Sequence, residues 1–103
     1  MLFDYPPNRC PVVRSGSSIE LSIPFHTTGA VTGLHWTVYS RGVTIDPLSP
    51  LESGALPPYA TGSFRVRVNA PARILPAYYP WSMEARTPER RVAMFTMHVK
   101  VSP

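Results

Sequence analysis

Thirteen of the 103 residues are proline. Each locks φ and removes a backbone donor, so proline breaks helix interiors and is pushed to the edges and ends of sheets. No window of ten or more residues is both free of proline and apolar at i, i+3, i+4 and i+7. Long helices are thereby excluded, and the chain reads as short strands joined by rigid loops.

Between the prolines the apolar residues recur at every second position. Ile19, Leu21, Ile23 and Phe25 alternate with polar neighbours or Pro24, which confines that strand to an edge or places the proline late in it. Leu34, Trp36 and Val38 form a second set, Val43 to Ile45 a short third strand, and Phe64, Val66 and Val68 alternate with Arg65, Arg67 and Asn69. Towards the C-terminus, Trp81, Met83 and Ala85 face Phe95, Met97, Val99 and Val101 across Thr87-Pro88-Glu89-Arg90-Arg91. Pro88 suits position i+1 of a turn, so these two runs read as an antiparallel hairpin. For the apolar residues to share a face, opposed residues must have numbers with an even sum. An odd loop does this directly, an even loop needs a bulge, and the odd loop is the expectation.

The other segments are irregular. Residues 1 to 14 carry three prolines and read as an extended arm anchored by Leu2, Phe3 and Tyr5, lying along a sheet edge or reaching to a neighbour. Residues 15 to 103 read as one domain, of a size that forms a core without disulfide or metal. Thr27 to Gly33 reads as a flexible connector, and Asp46 to Thr61, with four prolines and no periodicity, as a long loop. The expected fold is all-β: six or seven strands in two antiparallel sheets stacked face to face.

The sequence of an alternating strand after a Gly-Ser turn, Trp36 in the strand that matches the family's strand C, a proline-rich excursion, the Gly62 to Val68 strand and an aromatic hairpin resembles immunoglobulin-like sandwich modules. It is similar in particular to the disulfide-free bacterial and phage type, over roughly Pro11 to Val101. The resemblance implies that Trp36 fills the core. The chain lacks both core cysteines of antibody-type domains, and its hairpin turn lacks the Asp-Gly seen in many relatives.

The residue types give little support to catalysis. There is no Gly-x-Ser-x-Gly elbow, and the candidate bases His26, His35 and His98 fall at outward strand positions. No two of them, nor Cys10, stand at metal-ligand spacing, and the carboxylates Asp4, Glu20, Asp46, Glu52, Glu84 and Glu89 are scattered. Cys10 is single, so it forms no internal disulfide, and it reads as a small buried hydrophobe. No enzyme activity, cofactor or metal is expected. The N-terminus has neither the basic nor the apolar region of a secretory signal, so the chain reads as complete and made in the cytoplasm.

The net charge of +4 rests on ten cationic side chains, nine of them arginine. Arg65 and Arg67 on one outward face, among many aromatics, fit either a protein surface or a single nucleic-acid strand. Tyrosine and arginine together favour the protein. The expected function is therefore a non-enzymatic interaction module gripping a protein surface through Leu2, Phe3, Tyr5, Tyr59, Arg65, Arg67, Tyr78 and Tyr79. Together with the resemblance, this implies a virion component that decorates or cements a phage capsid, with the major capsid protein or another repeated assembly as partner. The alternatives are an extracellular or cell-surface adhesion module from a longer chain, or a single-stranded nucleic-acid binder.

Overall fold

The alternation in the sequence is realised as two curled sheets with a common core. The structure, a computed structural model, describes residues 1–103 and contains nine strands and no helix. They are β1 (Leu2–Phe3), β2 (Val12–Arg14), β3 (Ser18–His26), β4 (Val31–Ser40), β5 (Thr44–Pro47), β6 (Glu52–Leu56), β7 (Thr61–Asn69), β8 (Tyr78–Arg86) and β9 (Arg91–Ser102). One sheet has the order β1-β3-β7-β5 and the other β2-β9-β8-β4-β6.

The inward residues are those the alternation selects. Ile23, Phe64, Val66 and Val68 from the first sheet meet Leu34, Trp36, Trp81, Met83 and Val99 from the second, all 2% exposed or less. Each such side chain contributes roughly 1.5–3 kcal/mol by leaving water. Trp36 lies at the centre, its ring centroid 4.7 Å from that of Phe64 and 5.3 Å from that of Phe25.

Nine strands replace the expected six or seven. Two of the additional ones come from the arm, which is the edge of both sheets in turn. β1 pairs antiparallel with the end of β3, while β2 pairs in parallel with β9, the one departure from antiparallel order. Pro24 limits the first pairing: its carbonyl accepts the Asp4 amide at 2.8 Å, but it has no N–H to donate, and the β1 ladder stops there. The third addition is β6, within the stretch expected to be a loop. It pairs with β4 through two register shifts, and Gly33 and Gly54, at φ 65 and 63, flank them.

The hairpin loop is also a correction. Arg86 stands opposite Arg91, so Thr87 to Arg90 is a four-residue connection and not an odd one. The Thr87 amide donates to the Arg90 carbonyl at 2.8 Å, closing the turn around Pro88. A bulge between Ala85 and Arg86 then absorbs Val92 and returns Met83 and Phe95 to one face. Cys10, expected to be buried, is exposed, its thiol 3.4 Å from the His98 carbonyl.

Candidate protein-binding face

Strand pairing decides which of the candidate residues meet. Leu2 pairs with His26, and His26 with Thr61, so Leu2 lies on the outer face of the first sheet, the face that also carries Arg65 and Arg67. Tyr59 precedes β7 by two residues, in the turn at the end of the strand that carries Arg65 and Arg67. Tyr78 falls on the other sheet, 61% exposed, with the Lys100 ammonium 6.0 Å from its ring centroid.

Three of the eight candidate residues are drawn inward. Phe3 packs against Trp36 and Phe95, with centroids 6.1 and 5.3 Å away, and closes the gap between the sheets. Tyr5 follows it onto Phe95 at 5.8 Å. Partial burial raises the Tyr5 phenol above its ordinary pKa, and the nearby Arg9 guanidinium opposes the shift. Tyr79 is half-buried, and its hydroxyl donates to the Leu75 carbonyl at 2.6 Å.

On the outer face the two arginines are not free. Both reach across to Glu20, Arg67 at 3.1 Å and Arg65 at 3.3 Å. The hydrogen bond from Arg67, then that from Arg65, holds the Glu20 carboxyl below its ordinary value. Asp46 stands opposite Arg67 on β5 and accepts from Asn69 at 2.8 Å. The face is therefore a charge-balanced network of arginines and carboxylates. Asp4 continues it at the edge, meeting His26 Nδ1 at 2.8 Å.

Tyr59 differs from everything around it. It is 82% exposed, and it is the one non-glycine residue with positive φ, at 59°. Left-handed backbone costs a tyrosine roughly 1–2 kcal/mol, so its surroundings must impose it. They do so through Thr27, which is fully buried. Its hydroxyl donates to the Pro57 carbonyl at 2.7 Å and accepts from the Ala60 amide at 2.8 Å. Its own carbonyl accepts the Tyr59 amide at 3.1 Å. The segment read as a flexible connector thus clamps the turn that presents Tyr59.

Sequence reasoning missed two further features. Thr27 gives no local signal, because its burial depends on a turn thirty residues away. Glu84, placed outward, is covered: it is 7% exposed and ion-paired with Arg86 at 3.2 Å and Arg91 at 3.8 Å. No group of three or more His, Cys, Asp or Glu side chains is placed to hold a metal ion.

No family model matches the chain, and no curated protein matches it. Among solved structures, it is similar to a family 123 glycoside hydrolase from Clostridium perfringens, at 16% identity and a TM-score of 0.57, over 90% of this chain. It spans only 22% of that enzyme's length, and at this identity the likeness is one of fold. It is also similar to the ASH/PapD-like domain 7 of human CEP192, at 13% identity and a TM-score of 0.48, over 91% of this chain and 82% of that one.

Proposed function

We propose that this chain is a non-enzymatic, disulfide-free immunoglobulin-like module that binds a protein surface through the turn that presents Tyr59 and the adjoining outer face of its first sheet. The observation that carries this reading is Tyr59 itself: a large aromatic side chain, 82% exposed, held at φ 59 by a buried hydrogen-bonded clamp. Strain of this kind persists only where the surrounding structure over-determines it, and it clusters at functional sites. A tyrosine fixed in advance loses little entropy on docking, and tyrosine and arginine dominate contact energies at interfaces. The immunoglobulin-like assignment is supported by the strand order and by the central Trp36.

The engagement of both arginines by Glu20 favours a protein over nucleic acid. A phosphate backbone would have to displace the carboxylate, whereas a protein surface can complement both signs at once. Decoration of a repeated assembly such as a phage capsid is the specific form of the proposal that the sequence suggests, since repeated sites let modest contacts add up.

A photo-crosslinking residue at position 59, introduced in the organism of origin, tests the reading. Crosslinks from positions 59 and 67 are expected to converge on one protein, and a crosslinker at exposed position 41 to give none. Adducts scattered over many proteins, or equal from all three positions, would overturn it. A second reading is a module of a larger protein, since the same shape occurs within a much longer enzyme chain; an extracellular or cell-surface adhesion module is the form of it that the sequence suggests. Crosslinks to a carbohydrate-bearing or cell-surface partner support that one.

A further inference from the structure

The edge of β9 is only partly covered. β2 pairs with Lys100 to Ser102 and stops. The Lys100 amide donates to the Pro11 carbonyl and the Ser102 carbonyl accepts from Ser15, so the even-numbered residues of β9 turn their backbone groups towards this edge. The alternation places the amides and carbonyls of Met94 and Thr96 on the same side, beyond the reach of β2. The arm cannot cover them. Pro6 and Pro7 have no N–H for a ladder, and the Arg9 amide bonds back to the Pro6 carbonyl at 3.2 Å, so this part of the arm turns on itself instead of continuing as a strand.

Two open clefts lie between the arm and β9, of about 490 and 530 Å³. Both are bordered by Tyr5, Pro7, Phe95 and Thr96, so they form one trough along the bare edge. Three cations lean onto its lining. The Arg9 guanidinium lies 5.9 Å from the Tyr5 ring centroid, the Lys100 ammonium 6.0 Å from that of Tyr78, and an Arg91 N–H points at the Met94 sulfur at 3.3 Å. Neither Arg9 nor Lys100 takes part in an ion pair. The nearby acids are already engaged, Asp4 with His26 and Glu84 with Arg86 and Arg91.

We infer that the β9 edge binds an extended acidic segment of a partner protein as an added strand. The backbone of Met94 and Thr96 supplies the ladder, and the unpaired Arg9 and Lys100 select for carboxylates. A second copy of this chain is disfavoured as the occupant, because edge-to-edge pairing would bring two such basic rims together. The proposal rests on the reading of the chain as a protein-binding module and adds a surface separate from the one that carries Tyr59.

The test titrates the full chain with a blocked heptapeptide of alternating glutamate and valine, followed by amide NMR shifts. Shifts are expected at Met94 and Thr96. Replacing glutamate by lysine, or N-methylating the peptide amides, is expected to weaken binding about tenfold or more, the equivalent of about 1.4 kcal/mol. Arg9→Glu is expected to weaken it about threefold, as for one exposed ion pair. Thr96→Pro is expected to abolish it while the chain stays folded, since that N–H faces the bare edge. Thr96→Val, which removes only the hydroxyl contact with Ser82 at 3.1 Å, is expected to leave binding unchanged. Equal affinity for the lysine or the N-methylated peptide would overturn the inference, as would no binding at millimolar peptide. So would a concentration-dependent dimer that Thr96→Pro dissolves. A chain that crosslinks from position 59 yet ignores the acidic peptide loses this inference and keeps the reading above.

Discussion

The Thr27 hydroxyl donates to the Pro57 carbonyl at 2.7 Å, joining the end of β3 to the turn before β7 across thirty residues of sequence. Thr27→Val keeps the shape and removes the hydroxyl, leaving the Pro57 carbonyl and the Ala60 amide without this partner. The expected loss is about 1–3 kcal/mol in urea unfolding. Hydrogen exchange of the Tyr59 and Ala60 amides is expected to accelerate by more than the global change explains. Uniform acceleration would mean that the clamp is not local.

Gly42 combines two demands on a small residue. Its φ is 84°, and a Cβ there would come within 2.5 Å of Tyr79 Cδ1. Gly42→Ala is expected to cost about 2–3 kcal/mol. In a Tyr79→Ala background the clash vanishes and only the backbone part remains, about 1 kcal/mol. A double-mutant cycle in chemical denaturation measures the difference, and strict additivity would show that ring and glycine are uncoupled.

Glu20 gives the fold an acid-sensitive bond. Its folded-state pKa is depressed by Arg67 and then Arg65, below an unfolded value near 4.5. Its contribution is therefore fully present above that value and is lost as pH falls through the lower, folded one. Melting temperature measured from pH 6 to pH 3 is expected to fall less steeply in Glu20→Gln than in the wild type. Because the carboxylate is exposed, the difference between the two is expected to shrink in 0.5 M salt. Identical slopes at low salt would remove the pairing from the account.

The strands that bury one side and wet the other are legible from sequence. Trp36, Phe64, Val66, Met83 and Val99 are core residues in the structure because alternation leaves them no other face. β6 is illegible for the opposite reason: Gly54 takes a left-handed conformation, its pairing with β4 shifts twice, and no period survives. β1 and β2 span two and three residues, too few to show any period, and their places depend on which sheet edges are free. The outward direction of Arg65 and Arg67 follows from the pattern, but their shared carboxylate does not. Glu20 meets them only through the β3–β7 register, which places it opposite Arg67. Phe3 and Tyr79 read as contact residues because aromatic side chains at strand ends suit a lid and an interface equally well.

The central claim is that Tyr59 is held in an unfavourable conformation for contact and not for stability. The most direct measurement is the unfolding free energy of Tyr59→Asn, because asparagine accepts positive φ more readily and the exposed ring it replaces buries little. The expected result is a gain of about 0.5–1 kcal/mol over the wild type. A loss of similar size would contradict the claim, since it would show that the tyrosine ring supports the fold.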